Sequence, residues 1–237
     1  MAEEKTGSFK PGLQAGASIA IGYFPIALTF GLLSKTTGLT LIETVLMSLI
    51  VYAGASQYMG LSLIAAGTSP FVIILTTFVV NIRHFLMTAA LSQKVEEPSK
   101  WKRGLFAFGI TDETFSVLAT RNGKIPLGYG FGVTFIAYAS WVVSSGIGYV
   151  IGANLPQFLQ ASMTVALYAM FIGLLVPSLK KSVKVLFLAA LSAAFNSIFT
   201  GYGVMEEGWS IIVSTLLSAV LVEMAETYKR KKRVKEK

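Results

Sequence analysis

The chain has 237 residues, of which 54% are hydrophobic and only 14% are charged, and its formal net charge is +8. An ordinary water-soluble domain has about 25% charged residues, so this balance excludes that class. The absence of cysteine and the presence of a single histidine exclude disulfides, thiol chemistry and a histidine-rich metal cluster.

The apolar residues are grouped in long runs. The first ten residues are polar, and the run that follows continues past any small-residue cleavage site, so we expect no cleaved signal peptide. Seven runs have the length of a membrane helix: 14–34, 41–66, 71–91, 128–151, 158–178, 185–201 and 209–223. About 20 apolar residues cross a bilayer as a helix. The runs therefore predict seven membrane helices in a single membrane domain, 1–237.

Residues 104–120 are the least typical stretch, because Thr111, Asp112 and Glu113 interrupt an otherwise apolar sequence. Irregular backbone is tolerated at membrane depth only where protein or water surrounds it. The stretch is therefore interpreted as either a short span or a re-entrant segment. The expected fold class is an all-α integral membrane protein with seven or eight transmembrane or re-entrant helices.

The basic residues lie in short connectors and in the tail, 227–237, rather than interleaved with aromatic residues on one face. This pattern argues against a nucleic-acid partner. Connectors rich in Lys and Arg stay in the cytoplasm, so we predict a multi-pass plasma-membrane protein with a cytoplasmic C-terminus. The tail also suits contact with anionic lipid.

Two membrane topologies are compatible with a cytoplasmic tail. If residues 104–120 span the membrane, both chain ends lie inside, but Lys94, Lys100, Lys102 and Arg103 fall outside, against the charge rule. If the stretch re-enters from the cytoplasm, these four residues move inside, but the first run must then start outside or be re-entrant itself. The sequence leaves both arrangements open.

A weak internal repeat is visible at a shift of 87 residues, which lays the runs beginning near 22, 41 and 71 on those near 109, 128 and 158. This predicts repeats at 13–92 and 104–178, followed by a C-terminal helical pair at 185–226. A three-segment repeat comes out inverted, as in many secondary transporters, although chance similarity of hydropathy gives the same pattern. Pro25 and Asp112 are expected to break the first helix of each half.

Four short motifs carry a family resemblance: PIALTFG at 25–31, YAGASQY at 52–58, NIRH at 81–84 and DETF at 112–115. Their order and spacing resemble the AzlC/YgaZ family, the large subunit of branched-chain amino acid exporters. The resemblance covers the first half to two thirds of the chain. It implies export of leucine, isoleucine, valine and methionine with a small hydrophobic AzlD/YgaH-type partner, and it implies no cofactor.

Arg83 lies deep within an apolar run, where an arginine costs at least about 2.5 to 3.5 kcal/mol. Its guanidinium suits a substrate carboxylate, and Asn81 and His84 lie close enough to add donors. His84 also titrates near neutral pH and so joins the candidate proton-coupling residues. The alternative is that Arg83 forms an internal ion pair with Asp112 or Glu113.

Asp112 and Glu113 are adjacent carboxylates in an apolar stretch. Two like charges in a low dielectric do not both ionise easily, which favours a role in proton coupling. The alternative is that Thr111 or Asp112 caps a short helix whose dipole stabilises both carboxylates.

The first half offers three further candidates for substrate binding. Gln57 places an amide in the bilayer, Gly54 allows a close approach, and Pro25 frees a backbone carbonyl. Helix packing and a plain kink are the structural alternatives. Trp101, Trp141 and Trp209 are interpreted as interfacial anchors.

The sequence therefore predicts a secondary transporter and not an enzyme. An intramembrane enzyme using Asp112, Glu113 and His84 lacks any recognised catalytic motif, and a non-catalytic membrane scaffold remains the other alternative.

Overall fold

The computed structural model describes residues 9–95, 99–152, 182–205 and 207–235, together with eight further residues between 156 and 180. The bounded elements in this part of the chain are all helices, which confirms the all-α prediction. They are α1 Phe9–Thr36, α2 Leu41–Ile50, α3 Gly54–Ala65, α4 Pro70–Ser92, α5 Lys100–Phe108, α6 Asp112–Ala119, α7 Leu127–Gly152, α8 Val183–Gly201 and α9 Glu207–Lys235.

Five of these helices are long and apolar enough to cross a membrane: α1, α4, α7, α8 and the segment Gly208–Tyr228 of α9. They correspond to five of the seven predicted runs, and the chain is an integral membrane protein with multiple spans. The predicted run at 158–178 lies mostly outside the described residues.

The prediction that residues 41–66 form one membrane helix is wrong. Tyr52 adopts φ +42° between α2 and α3, a left-handed conformation that is unusual for a bulky residue. Beyond it α3 folds back on α2. The contact that shows this is the Gln57 amide, which donates to the Ser48 hydroxyl at 3.2 Å. The two helices have 10 and 12 residues, so each is only about half a bilayer long. We call α2–α3 the first hairpin.

The second hairpin, α5–α6, returns to the side from which it starts. Just after α4, the Lys94 carbonyl accepts a hydrogen bond from the Ile125 amide at 2.8 Å. The Lys94 ammonium donates to the carbonyls of Ala119 and Arg121, at 2.8 and 3.2 Å. A crossing segment would separate these residues by about 30 Å. Of the two predicted options for residues 104–120, the structure therefore has the re-entrant one.

Helices α1 and α7 run in the same direction. Their contacts advance together, from Gly12 against Tyr129, through the Ser140 hydroxyl donating to the Ala20 carbonyl at 2.7 Å, to Gly148 against Leu28. A Cβ on either glycine would overlap the backbone of the opposite helix. In lipid, where apolar contacts gain little, such small-residue seams bring helix backbones together.

This parallel pair determines how the first hairpin enters the membrane. Because α1 and α7 point the same way and the second hairpin does not cross, a crossing by α4 leaves the first hairpin with no net crossing. The hairpins then enter from opposite sides. Neither predicted arrangement made residues 41–66 re-entrant, and this one leaves the N-terminus of α1 and the residues after α4 on the same side.

The prediction of a helix break at Pro25 is wrong, because α1 continues through this residue. Proline removes one backbone donor, and the helix accommodates it here with the Thr29 hydroxyl donating to the Pro25 carbonyl at 2.9 Å. The 87-residue shift also lays the broken first hairpin on α7, which is continuous. Helix breaks therefore do not follow the predicted repeat, which stays a prediction.

The chain forms two compact units, one of Met1–Leu61 with Val80–Leu167 and one of Ser62–Val79 with Tyr168–Lys237. In the second unit, α8 and α9 lie antiparallel. The Ser210 hydroxyl donates to the Asn196 side-chain oxygen at 2.8 Å, and Lys184 pairs with Glu223 and Glu226. The residues of the candidate site belong to the first unit.

Candidate functional site

The tips of the two hairpins meet. The ring of Tyr52 lies 6.0 Å from that of Phe108, at the end of α5, and 4.9 Å from that of Tyr138 on α7, measured between centroids. Phe108 and Tyr138 are 5.8 Å apart, so the three rings form one aromatic cluster. Tyr52 is only 3% exposed, and its hydroxyl finds no hydrogen-bond partner among the described residues. Broken helices that meet in this way are typical of membrane sites for polar solutes.

An ion pair ties α4 to the second hairpin. An Arg83 guanidinium nitrogen lies 3.0 Å from a carboxylate oxygen of Asp112, with 39% and 25% of the two side chains exposed. The internal pair that the sequence offered as an alternative is therefore present. The buried Nε of Arg83 has no hydrogen-bond partner in the described part of the chain, so the guanidinium retains a donor.

Asn81 faces the other hairpin. Residues two apart on a helix do not share a face, and here the Asn81 amide donates to the Ser56 hydroxyl of α3 at 2.9 Å, while Arg83 reaches α6. The structure therefore does not bring Asn81 and Arg83 together, as joint recognition of one carboxylate would require. His84, which is half-buried, follows Arg83 on α4 and lies near Asp112 at the second break.

The N-terminus of α6 carries the two candidate carboxylates. Thr111 is its N-cap and accepts a hydrogen bond from the Thr114 amide at 3.3 Å, as the capping interpretation expected. The adjacent side chains make different contacts. Asp112 pairs with Arg83, whereas Glu113 accepts a 2.5 Å hydrogen bond from the hydroxyl of Tyr23 on α1.

Tyr23 was missed by the sequence reasoning. It is 6% exposed, and its hydroxyl lies 2.7 Å from that of Thr111 as well as on Glu113. It stands two residues before Pro25, just outside the PIALTFG motif at 25–31. An uncharged tyrosine in an apolar run carries no periodicity or charge signal, and its partners are about ninety residues away in sequence.

Gln57 is fully buried, and its contacts lie inside the protein. Its oxygen accepts from the Ala53 amide at 3.2 Å and from the Trp141 indole at 3.0 Å, and its nitrogen donates to Ser48. A Cβ on Gly54 would lie 2.8 Å from the Trp141 ring. Of these two predicted substrate residues, Gln57 thus bonds the first hairpin to α7, and Gly54 allows the close approach of the Trp141 ring. The interfacial position predicted for Trp141 is wrong, since it is 2% exposed and packs on Tyr23 and Phe30.

Pro25 faces outward from α1, and its carbonyl is occupied by Thr29. Of the predicted residues, Arg83, Asp112, Glu113 and His84 therefore gather at the second break, and Asn81, Gln57 and Gly54 gather at the first. In the described ranges, no three His, Asp or Glu side chains form a group that would hold a metal ion.

Comparison with known proteins gives consistent matches. Residues 18–155 match the family described as AzlC protein. The inner membrane protein YgaZ of Escherichia coli is 32% identical over 199 residues, covering 81% of each chain. The branched-chain amino acid transport protein AzlC of Bacillus subtilis is 24% identical, over 75% of this chain and 70% of its own. An uncharacterized membrane protein of Archaeoglobus fulgidus is 31% identical, over 74% and 78%. No solved structure matches the chain.

Proposed function

The chain belongs to the AzlC family, and on this premise we propose that it exports branched-chain amino acids, driven by protons, as the large subunit of a two-component permease. The observation that supports this most directly is the meeting of two hairpin tips beside an ion pair. The two helix breaks are in contact through the rings of Tyr52 and Phe108, whose centroids lie 6.0 Å apart. The Arg83–Asp112 ion pair lies beside the second break.

The carboxylate and the apolar side chain of such an amino acid each have a suitable partner there. A substrate carboxylate first engages Arg83 through the donors that Asp112 leaves free, and it then displaces Asp112 from the guanidinium. The apolar side chain of leucine, isoleucine or valine packs against the rings of Tyr52, Phe108 and Tyr138. Substrate binding thereby releases Asp112 from its ion pair, which couples occupancy of the site to the charge at the second tip.

Orientation follows from the basic residues of the first unit. Seven of them belong to the side that holds the N-terminus of α1 and the start of α7: Lys10, Lys94, Lys100, Lys102, Arg103, Arg121 and Lys124. At the opposite ends of these two helices, Lys35 lies 5.2 Å from the ring of Tyr149. By the positive-inside rule, the first side is the cytoplasm. The second hairpin therefore enters from the cytoplasm, and the basic tail is cytoplasmic as well.

The chain contains no cysteine, so single cysteines can report this topology directly. Trp101→Cys lies in the first turn of α5, where the second hairpin begins, Asn122→Cys lies just after that hairpin, and Thr36→Cys lies at the far end of α1. In intact cells, a membrane-impermeant maleimide should label Thr36→Cys and leave the other two unlabelled until the cells are opened. Labelling of Trp101→Cys and Asn122→Cys from opposite sides would rule out a re-entrant second hairpin.

The transport proposal is tested by efflux of labelled leucine from cells that lack leucine export. The chain is expressed with and without a small hydrophobic AzlD/YgaH-type subunit, and efflux should require both. Arg83→Ala should abolish efflux while both proteins stay assembled in the membrane, and the exposed Arg103→Ala serves as the matched control. Failure of Arg83→Ala to assemble would favour the scaffold alternative. No efflux from the assembled wild type would contradict the leucine assignment.

A further inference from the structure

We propose that Glu113, and not Asp112, is the carboxyl that takes up and releases the coupling proton, and that Tyr23 is its positioning residue. This inference rests on the proposed proton-driven transport and deepens it, because the sequence left the two adjacent carboxylates equivalent. The structure separates them by their partners, one a cation on α4 and the other a hydroxyl on α1.

Asp112 is committed as a counter-ion. Its carboxylate lies 3.0 Å from the guanidinium of Arg83, which stays protonated at any physiological pH. A proton on Asp112 would leave that cation at membrane depth without its partner. Asp112 therefore serves to balance the charge of Arg83 until a substrate carboxylate takes its place on the guanidinium.

Glu113 has a neutral partner instead. Its oxygen accepts a 2.5 Å hydrogen bond from the Tyr23 hydroxyl, and in the described part of the chain it pairs with no Lys or Arg. Arg83 cancels the charge of Asp112, so the second tip carries one net negative charge when Glu113 is ionised. One proton on Glu113 makes the tip neutral, which is the lower-cost state for a tip that moves within the bilayer.

Tyr23 is built to serve both states. When Glu113 is ionised, the Tyr23 hydroxyl donates to it. When Glu113 is protonated, the new O–H donates to Tyr23, and the Tyr23 proton turns to the Thr111 hydroxyl 2.7 Å away, a contact in which either oxygen can donate. One proton is bound or released, and no hydrogen bond is lost in either state.

The charged and titratable groups around Glu113 come from each neighbouring element. Asp112 precedes it on α6, Arg83 and His84 face the second break from α4, and Tyr23 approaches from α1. The first hairpin contributes Tyr52 at its tip, α7 contributes Tyr138 against it, and both side chains are uncharged phenols. Of these groups, Glu113 is the one acid whose described contacts are all neutral.

The test uses the complete two-subunit complex in lipid vesicles and two assays. Leucine exchange is measured with equal pH on both sides, and net leucine accumulation is measured with an imposed pH gradient. Glu113→Gln should retain exchange and lose gradient-driven accumulation, because an amide replaces the protonated carboxyl. Asp112→Asn should lose both activities, because Arg83 loses its counter-ion.

Tyr23→Phe should retain both activities but move the pH of half-maximal accumulation upward by about one to two units, since the ionised carboxylate loses a charge-assisted hydrogen bond. A purely structural role for Tyr23 would lower activity without moving that midpoint. The matched controls are Glu43→Gln, which keeps the capping interaction of α2, and the 84% exposed Tyr202→Phe. Thermal unfolding of each complex identifies variants that fail to fold.

Gradient-driven accumulation by a folded Glu113→Gln complex would overturn the inference while leaving the proposed transport intact. A wild type that exchanges leucine but ignores the pH gradient would overturn proton coupling, and the inference with it, but not the transport. A wild type that moves no leucine would overturn the proposed function itself.

Discussion

The two hairpins are held in place by different chemistry. The first is tied by neutral groups: the buried amide of Gln57 bonds Ala53, Trp141 and Ser48, and the Asn81 amide reaches Ser56. The second is held through its two acidic side chains: Asp112 forms an ion pair with Arg83, and Glu113 accepts a hydrogen bond from the Tyr23 hydroxyl. Neutral hydrogen bonds respond little to a proton or an incoming carboxylate, whereas an ion pair responds to both. The second hairpin is therefore the one suited to move during transport.

Arg83→Ala should have the largest effect, because it leaves the Asp112 carboxylate without a counter-ion at membrane depth. Loss of one partner of a buried pair costs about 3 to 5 kcal/mol, and the partial exposure of this pair favours the lower end. The free energy of unfolding, followed by denaturation of the purified complex, should fall accordingly.

The double variant Arg83→Gln with Asp112→Asn removes both charges and so tests this reason directly. It should recover most of the stability lost in Arg83→Ala but none of the leucine efflux. Recovery of efflux in the double variant would show that the pair is a brace and not part of the substrate site.

Gln57→Leu should come next, and it should act on stability rather than on coupling. It leaves the Trp141 indole and the Ala53 amide buried without an acceptor, at about 1 to 3 kcal/mol each. The melting temperature should fall, while the pH dependence of whatever transport remains should stay that of the wild type. Gln93→Leu on an exposed site is the matched control. A changed pH dependence in Gln57→Leu would contradict the division of roles between the hairpins.

Tyr52→Phe should have the smallest effect on stability, because the hydroxyl it removes has no partner among the described residues. If that hydroxyl binds the substrate at the tip, leucine affinity should fall about 2- to 10-fold, as for the loss of one hydrogen bond. Leucine binding to the detergent-solubilised complex measures this, with the exposed Tyr202→Phe as control. Unchanged affinity would show that the first tip contributes apolar contacts alone.

The features that the sequence predicted were those with local causes. Five apolar runs are long helices, Thr111 caps α6 because threonine is a good N-cap residue, and Arg83 finds Asp112 because a charge in lipid needs a partner. The break at Tyr52 has no such signal. Hydropathy is continuous through 41–66, and the strained conformation occurs where Tyr52 packs against Tyr138 and Phe108.

The buried amide network was equally hidden. Gln57 meets Trp141 across 84 positions of sequence, and no local pattern distinguishes an amide that binds an indole from one that binds a solute. The topology also depended on a distant contact, since the hydrogen bond between Ile125 and Lys94 shows that the chain returns to its own side of the membrane.

The glycine seam between α1 and α7 has a consequence for the transport cycle. Backbones in direct contact at Gly12 and at Gly148 cannot slide past one another without a collision, so this pair is expected to move as a rigid body. Access to the site would then change through the movement of an element outside this pair. The first hairpin, fixed to α7 by Gln57, would stay with the rigid pair, and the second hairpin, whose ion pair responds to protons and substrate, would be the moving gate.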